Sequence, residues 1–445
     1  MLTVGQLRDN VEIIDYSHEG LGVAKIDNFV TFIPYSIKNK RYLIKITEVK
    51  KQYAYGEIVN NDITTNCPYY LNCGGCQIRH LDYQQQLLFK ENVVKNTLKK
   101  QHLDVNVNPI VANENINHYR NKVIMPIKMV NGKLVSGYYQ NKTHLLTPIT
   151  DCLLAPSFVS NIINDSIKLL NDIKETAYDE DSKKGNLRNI MVRYSPVTNQ
   201  VMVCLVTYFN KLKDNKYFVK ELMKKYKNIT SIVINQHQRA NNATLGFKNF
   251  NLYNCNFIED QLGDIKYRIE PNTFFQVNTL QAQKLYDLVL EALSPTDQDT
   301  VLDAYCGVGS IGCYIASKVK EVVGVEFNAK SIKLAQINSQ NNQLDNTTFI
   351  CGDMHNPKLN LDFGQFNKVI VDPPRSGLDQ QLITLLNNHG FEKLVYVSCN
   401  PATLARDLAK LAKSYIIKQL TPVDMFSNTY HVECVVELVK INVLP

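Results

Sequence analysis

No stretch of the 445 residues reaches the roughly 18 consecutive apolar residues that cross a bilayer. Met1 to Asp15 alternates polar and apolar residues and lacks the basic patch and apolar core of a secretory leader. A soluble, cytoplasmic protein with no membrane partner is therefore expected. Internal repeats are missing too, and the Asn-rich patch around Asn341 is too short to count as low complexity. Strong charge of one sign is also absent: the formal net charge of +7 permits a polyanionic partner without requiring one. The 11 cysteines do not form the even, loop-spaced framework of a secreted disulfide scaffold. Cys204, Cys306, Cys313 and Cys351 lie inside apolar runs and are expected to be reduced and buried.

What is present is globular: 44% of residues are apolar and 20% charged, over a length that splits into several cores. Residues 1–60 alternate β-branched and polar residues (VEIIDY, NFVTFI, RYLIKITEV), which predicts a small all-β barrel or sandwich. Between Ser36 and Lys51 stand Lys38, Lys40, Arg41, Lys45, Lys50 and Lys51 against the single acid Glu48. A solvated strand face and a phosphate-contacting surface both fit that stripe. Tyr83 to Lys100, with Leu87, Leu88, Val93, Val94 and Leu98 at helical spacing, predicts an amphipathic helix. Residues 61–270 otherwise carry short strand-like runs and read as a central mixed α/β domain.

From residue 271 to 445 helical stretches alternate with short apolar strands, the pattern of a parallel sheet covered on both faces. Ligands in such folds sit at the carboxyl ends of the strands, so Asp303, Glu326, Asp353, Asp372 and Cys399 should share one crevice. The run VLDAYCGVGSIG places Gly307, Gly309 and Gly312 in G-x-G-x-x-G register, with Ser310 opening the helix, and Glu326 ends the next strand. The glycines permit close backbone approach to a ligand, and the acid can bind both ribose hydroxyls. A dinucleotide, S-adenosylmethionine and a ligand-free tight turn all fit. Asp303, placed for a ligand ammonium, and Asp353, placed at an adenine edge, favour S-adenosylmethionine. In IVDPPRSG two prolines end the strand and carry Asp372 into the crevice.

Methylating carbon 5 of uracil requires a thiolate to add at carbon 6 and a base to remove the carbon 5 proton. Cys399, in LVYVSCNPAT, stands at a strand end before a helix, where a lowered thiol pKa is expected; a buried structural cysteine fits the same position. For the base, Glu433 in HVECVVEL is the first candidate, with His431 the competitor and Glu437 third. Cys67, Cys73 and Cys76, spaced C-x5-C-x2-C with Gly74 and Gly75 between, predict a metal site. Cys152, Cys204, Cys255 and His80 are candidate fourth ligands, with zinc and a four-iron cluster both open.

Together these residues resemble the RNA uracil-5-methyltransferase family, in the branch with a TRAM domain and a four-iron cluster that includes the bacterial 23S ribosomal RNA (uracil-5-)-methyltransferases. The resemblance rests on C-x5-C-x2-C, NTFFQVN (Asn272 to Asn278), DAYCGVGSIG, DPPRSG, SCNPATLARD and HVECV, in that order. It implies a TRAM barrel of OB-like type, a central domain carrying the cluster, and a Rossmann-like class I methyltransferase fold. It implies Cys399 as nucleophile and Glu433 as base, Gln276, Tyr305, Glu326 and Asp372 in the S-adenosylmethionine site, and a [4Fe-4S] cluster on Cys67, Cys73, Cys76 and Cys152. The expected partner is structured RNA, 23S rRNA ahead of the T-loop of tRNA, and the expected state a monomer. An RNA-binding protein with a degenerate methyltransferase fold is the alternative from another class. Tyr305 stands where many members have phenylalanine, the segment between Pro34 and Tyr42 is short, and YRNK (Tyr119 to Lys122) fits a wall of the RNA cleft.

Overall fold

The structure, a computed structural model, describes residues 2–59, 63–141, 143–239, 243–354, 359 and 361–441; the expected boundary at residues 60 and 61 lies outside them. Six strands build the N-terminal unit, in the order Leu7–Glu12, Arg41–Val49, Tyr53–Ile58, Phe29–Ile33, Gly22–Ile26, Asp15–Tyr16. Its core is the inward half of each alternation: Ile33, Ile44, Ile46 and Ala54 are fully buried. The basic stripe is largely paired by acids from other strands. Lys38 meets Asp15 at 3.3 Å, Arg41 meets Glu12 at 2.5 Å and Lys45 meets Glu57 at 3.5 Å, while Lys50 pairs with Glu48. The stripe's field is therefore weaker than the local sequence suggests.

The middle of the chain forms a second sheet in the order Lys248–Asn254, Ile229–Gln236, Val201–Thr207, Leu187–Tyr194, Lys122–Val130, Lys133–Tyr139, Leu146–Pro148. Ile190 and Val192 face the helices Ser157–Asp172 and Asn215–Lys225. Met191, Met202, Cys204 and Val233 share a core with the C-terminal part. Both faces of the strands near its centre are covered, which explains why Val201–Thr207 is buried throughout.

The helix expected from Tyr83 forms over Tyr83–Lys100, capped by Asp82 and Gln85 in a reciprocal capping box. Leu87, Val94 and Leu98 are buried, whereas Leu88 faces outward. Val94 and Leu98 join the core of the C-terminal sheet, so this helix braces the part of the chain that ends the sequence.

The C-terminal sheet has the order Thr347–Cys351, Glu321–Glu326, Thr300–Ala304, Lys368–Val371, Lys393–Ser398, Glu433–Lys440, Tyr415–Val423. The first five run parallel, but Glu433–Lys440 inserts antiparallel between its neighbours. An antiparallel strand begins where parallel ones end. Glu433, the first residue of its strand, is thereby brought to the same edge as Asp372 and Cys399. Cys351, expected to be buried, is exposed: it is the last residue of the edge strand and opens onto that edge. Among the described residues no helix is long and apolar enough to cross a membrane.

Candidate active site and cysteine cluster

Glycine geometry shapes the donor side of the crevice. Gly307 and Gly309 both adopt the left-handed region, at φ +56° and +72°. A Cβ on Gly309 would lie 2.7 Å from the Phe349 ring, whereas one on Gly307 would meet nothing within 4 Å, which leaves that turn open to a ligand. Tyr305 takes φ +66° without being glycine, a strain common at binding sites. Ser310 lies in the wall, its carbonyl accepting from the Tyr267 hydroxyl at 2.8 Å.

Asp303 is buried behind this turn. The Gly312 N–H donates to its Oδ2 at 2.9 Å, and Oδ1 has no partner among the described residues. Burial, then the charges of Asp372 and Glu326, push its carboxyl up to about 8. An orphaned buried carboxylate oxygen calls for a donor or a cation. Glu326 holds the Asn328 N–H at 2.8 Å through one oxygen, and Asp353 stands exposed beyond the next strand. Gln276 is buried, and its carbonyl accepts from Asn121 Nδ2 at 2.9 Å, which ties the segment before helix Thr279–Leu293 to the central sheet. A ligand with a ribose and a cationic amino-acid arm fits this donor set.

Cys399, Glu433 and Asp372 come together at neighbouring strand ends: Ser398 is the register partner of Cys434, and Val371 of Tyr396. Asn400 caps helix Pro401–Leu411 and donates to the Arg375 carbonyl at 3.0 Å, which folds the DPPR loop over the cysteine. The thiol does not behave as its place before a helix suggests. Burial, then the Glu433 and Asp372 carboxyls, push Cys399 up to about 11, with Arg375 opposing. The helix terminus acts within one turn on an exposed group, and here desolvation and two acids outweigh it. Glu433 is raised to about 8 by burial and Asp372, opposed by Arg375 and Lys90; burial alone raises Asp372 to about 7. Burial and mutual repulsion thus favour the protonated forms of these groups. Bringing a cation among them releases those protons.

His431 stands with Nε2 3.5 Å from the Arg375 guanidinium, and burial, Arg375, Lys90 and Arg120 lower its pKa to about 4. Glu437 pairs with Lys393 at 2.9 Å, away from the crevice edge. Of the acid candidates, only Glu433 is held beside Cys399.

Cys67, Cys73, Cys76 and Cys152 gather between the first sheet and the central one: Cys67, Cys76 and Cys152 each help to push Cys73 up, Cys152 acts on Cys76, and Cys67 on Cys152. Burial dominates and moves Cys73 to about 12. Arg79 and Arg120 bear on Cys76 and Cys152 from the other side, and both have a buried Nε without a partner among the described residues. Gly74 packs its backbone against the Tyr139 carbonyl, at 3.0 Å from its N–H. Cys204 lies in the sheet core and Cys255 donates to the Phe257 carbonyl, so neither belongs to this group. His80 is also excluded: its ring nitrogens are engaged by the Tyr70 hydroxyl at 2.6 Å and the Ser36 carbonyl at 3.2 Å. Among the described residues no three Cys, His, Asp or Glu side chains converge tightly enough for a single metal ion.

Sequence reasoning passed over Phe327 and Lys90, and it read Arg375 and Arg120 only as members of the DPPRSG and YRNK motifs. Phe327, directly after Glu326, is 80% exposed at the strand-end edge. Arg375 and Arg120 project toward carboxyls and thiols that only the fold assembles. Lys90, on helix Tyr83–Lys100, pairs with Asp424 at 2.5 Å with both side chains 0% exposed. Its Nζ also donates to the Phe426 carbonyl at 3.0 Å, while the Tyr83 and Ser427 hydroxyls donate to Asp424 at 2.8 and 2.6 Å. This network anchors the loop that delivers His431 and Glu433. The Phe beside a strand-end acid was visible in the sequence EFN, and the two arginines in their motifs; Lys90 had no local signal.

A family model described as tRNA (uracil-5-)-methyltransferase matches residues 82–441, and one described as a TRAM domain matches residues 3–59. An uncharacterized RNA methyltransferase of Oceanobacillus iheyensis is 37% identical over 436 residues, covering 95% of each chain. Another, of Staphylococcus aureus strain N315, is 37% identical over 434 residues, 95% of this chain and 96% of its own. The crystal structure of Pyrococcus abyssi tRNA (uracil-54, C5)-methyltransferase in complex with S-adenosyl-L-homocysteine superposes with a TM-score of 0.78 at 28% identity, covering 96% of this chain and 99% of that one.

Proposed function

The chain belongs to the tRNA (uracil-5-)-methyltransferase family, whose members methylate RNA with S-adenosylmethionine, and from that premise we propose the target and the role of each site residue. The target is carbon 5 of a specific uridine. Cys399 Sγ, as thiolate, forms a bond to uracil carbon 6, and the C5–C6 π electrons move onto the ring as an enolate. Carbon 5 takes the methyl group that the sulfonium donor supplies. Glu433, as carboxylate, then removes the carbon 5 proton, the C5–C6 double bond re-forms and the C6–S bond breaks. The grouping of Cys399 with Glu433 and Asp372 at one crevice edge carries this reading, because it sets a nucleophile and a base side by side at the strand ends that face the donor side. Asp303, Glu326, Gln276, Tyr305, Asp353, Asp372, Gly307, Gly309 and Ser310 line the donor side. Asp303 Oδ1 receives the donor's ammonium, and Phe327 its adenine. RNA carrying 5-fluorouridine at the target should form a stable adduct with the wild-type enzyme and none with Cys399→Ala. Absence of any adduct would favour a non-catalytic RNA binder.

The proposed cofactor on Cys67, Cys73, Cys76 and Cys152 is a four-iron cluster. The cysteine spacing and the gathering of these side chains support this reading, and Arg79 and Arg120 would offset the negative charge of thiolate ligation. When bound, the cluster ties the 67–76 loop to Cys152. Anaerobic protein should be brown and contain iron and sulfide; colourless protein with stoichiometric zinc would refute the assignment. We further propose three parts, residues 1–60, 61–270 and 271–445, acting as a cytoplasmic monomer on 23S rRNA; the resemblance of the motifs to the cluster-bearing branch supports ribosomal RNA. The printed activities of the family and of the Pyrococcus abyssi enzyme favour the T-loop of tRNA as the second reading. Mapping 5-methyluridine in both RNAs from a deletion strain decides between them.

A further inference from the structure

Phe247 is an aromatic residue that neither the donor site nor the reacting groups use. Its loop is held from three sides. Gly246 donates to Asn235 Oδ1 at 2.6 Å in the central sheet, and its carbonyl accepts from Asn272 Nδ2 at 2.5 Å, in the segment leading to Gln276. The Phe247 carbonyl accepts from Lys330 Nζ at 2.7 Å, in the helix that follows Glu326. Despite these anchors the ring is 62% exposed. The anchored backbone holds the exposed ring in place, so that stacking on it costs little ordering. The Arg239 guanidinium lies 4.6 Å from the ring centroid.

Beside the ring lies a cavity of about 170 Å3, lined by Gln236, His237, Arg239, Leu245 and Lys248 among others, and no acid lines it among the described residues. His237 is 2% exposed, and its Nδ1 has no partner among the described residues. That volume falls below the roughly 300 Å3 at which small-molecule sites begin. It suits one edge of a polymer rather than a free cofactor, and the cations Arg239, Lys248 and Lys330 suit a polyanion.

We propose that Phe247, backed by Arg239, is a stacking platform for an unpaired base of the substrate RNA that flanks the target uridine, with His237 facing the base edge. The inference rests on the RNA-methylating reading above. A uridine withdrawn from its stack leaves its neighbours without a stacking partner, and an aromatic ring by the crevice replaces it at any sequence.

The test uses the full-length enzyme and whichever in vitro transcript, of 23S rRNA or tRNA, accepts methyl groups. Phe247→Ala should raise the KM for RNA roughly 5- to 150-fold. Phe247→Trp should stay near wild type, and kcat at saturating RNA and the calorimetric Kd for S-adenosylmethionine should not change. RNA carrying 2-aminopurine beside the target should lose fluorescence on binding wild-type enzyme and not on binding Phe247→Ala, which thermal melting should show to be folded. An unchanged KM, or a weakened Kd for S-adenosylmethionine with unchanged KM, would overturn the stacking site alone. A wild-type enzyme that methylates no RNA would remove the functional reading and this inference with it.

Discussion

Replacing Lys90 by methionine isolates what a buried charge contributes at a distance from the reacting atoms. Lys90 and Asp424 are both 0% exposed and 2.5 Å apart, and burial pushes the lysine's proton affinity down while the aspartate's charge holds it up. Removing one member leaves Asp424 charged in a sealed site with only the Tyr83 and Ser427 hydroxyls, which costs about 3–5 kcal/mol. In calorimetry that corresponds to a fall in Tm of roughly 6 to 20 °C for the transition of the C-terminal part. A second effect reaches Glu433, whose carboxyl Lys90 helps to hold down against burial and Asp372. The base works as carboxylate, so losing the cation raises its pKa, and the rising limb of kcat/KM against pH moves to higher pH. The neutral pair Lys90→Gln with Asp424→Asn should recover most of the stability and keep the displaced limb. Unchanged Tm in Lys90→Met, or a limb that stays in place in both variants, would refute the reasoning.

Three further outcomes are expected. Asp303, Asp372 and Glu433 have pKa values near 8, 7 and 8 in the folded, ligand-free protein, above those of unfolded carboxyls. Each of these carboxyls binds more protons folded than unfolded between about pH 4 and 8, whereas His80 and His431, lowered to about 4, act oppositely below about pH 6.5, and Lys122, lowered to about 7, offsets one carboxyl above that value. Tm should therefore fall as pH rises from about 6.5 to 8, and saturating S-adenosylmethionine should flatten that fall. A Tm that rises over the window would contradict it. Glu433→Gln can add Cys399 to uracil and transfer the methyl but cannot remove the carbon 5 proton; gel electrophoresis should show methylated RNA covalently held, and free methylated product at the wild-type rate would exclude Glu433 as base. Gly309→Ala places a Cβ 2.7 Å from Phe349 at φ +72° and should weaken S-adenosylmethionine binding in calorimetry by tenfold or more, with RNA affinity retained.

Much of this protein follows from sequence because its decisive features are local. The alternation in RYLIKITEV, the period of Tyr83 to Lys100 and the apolar strands after Pro271 each report which face is buried, and the elements form where those patterns place them. Strand-end acids and the glycine turn were legible for the same reason, since a residue's place at the end of its own strand is written in that strand. The partial errors arose where a neighbour distant in sequence set the outcome. Lys38, Arg41 and Lys45 found acids on other strands, Cys351 fell at an edge, and Cys399 met two carboxyls that raise its thiol pKa.

By itself, then, the sequence determined the elements, the acids at the strand ends, the cysteine spacing and the family. Only the tertiary structure decided which charges meet. The antiparallel entry of Glu433–Lys440 turns a strand's first residue toward the ends of parallel strands. The pairing of Lys90 with Asp424 crosses 334 positions of chain. The physical reason is range. Propensity and periodicity act over a few residues, whereas desolvation and Coulomb interactions depend on what the folded chain brings within a few ångströms, and no local pattern encodes that.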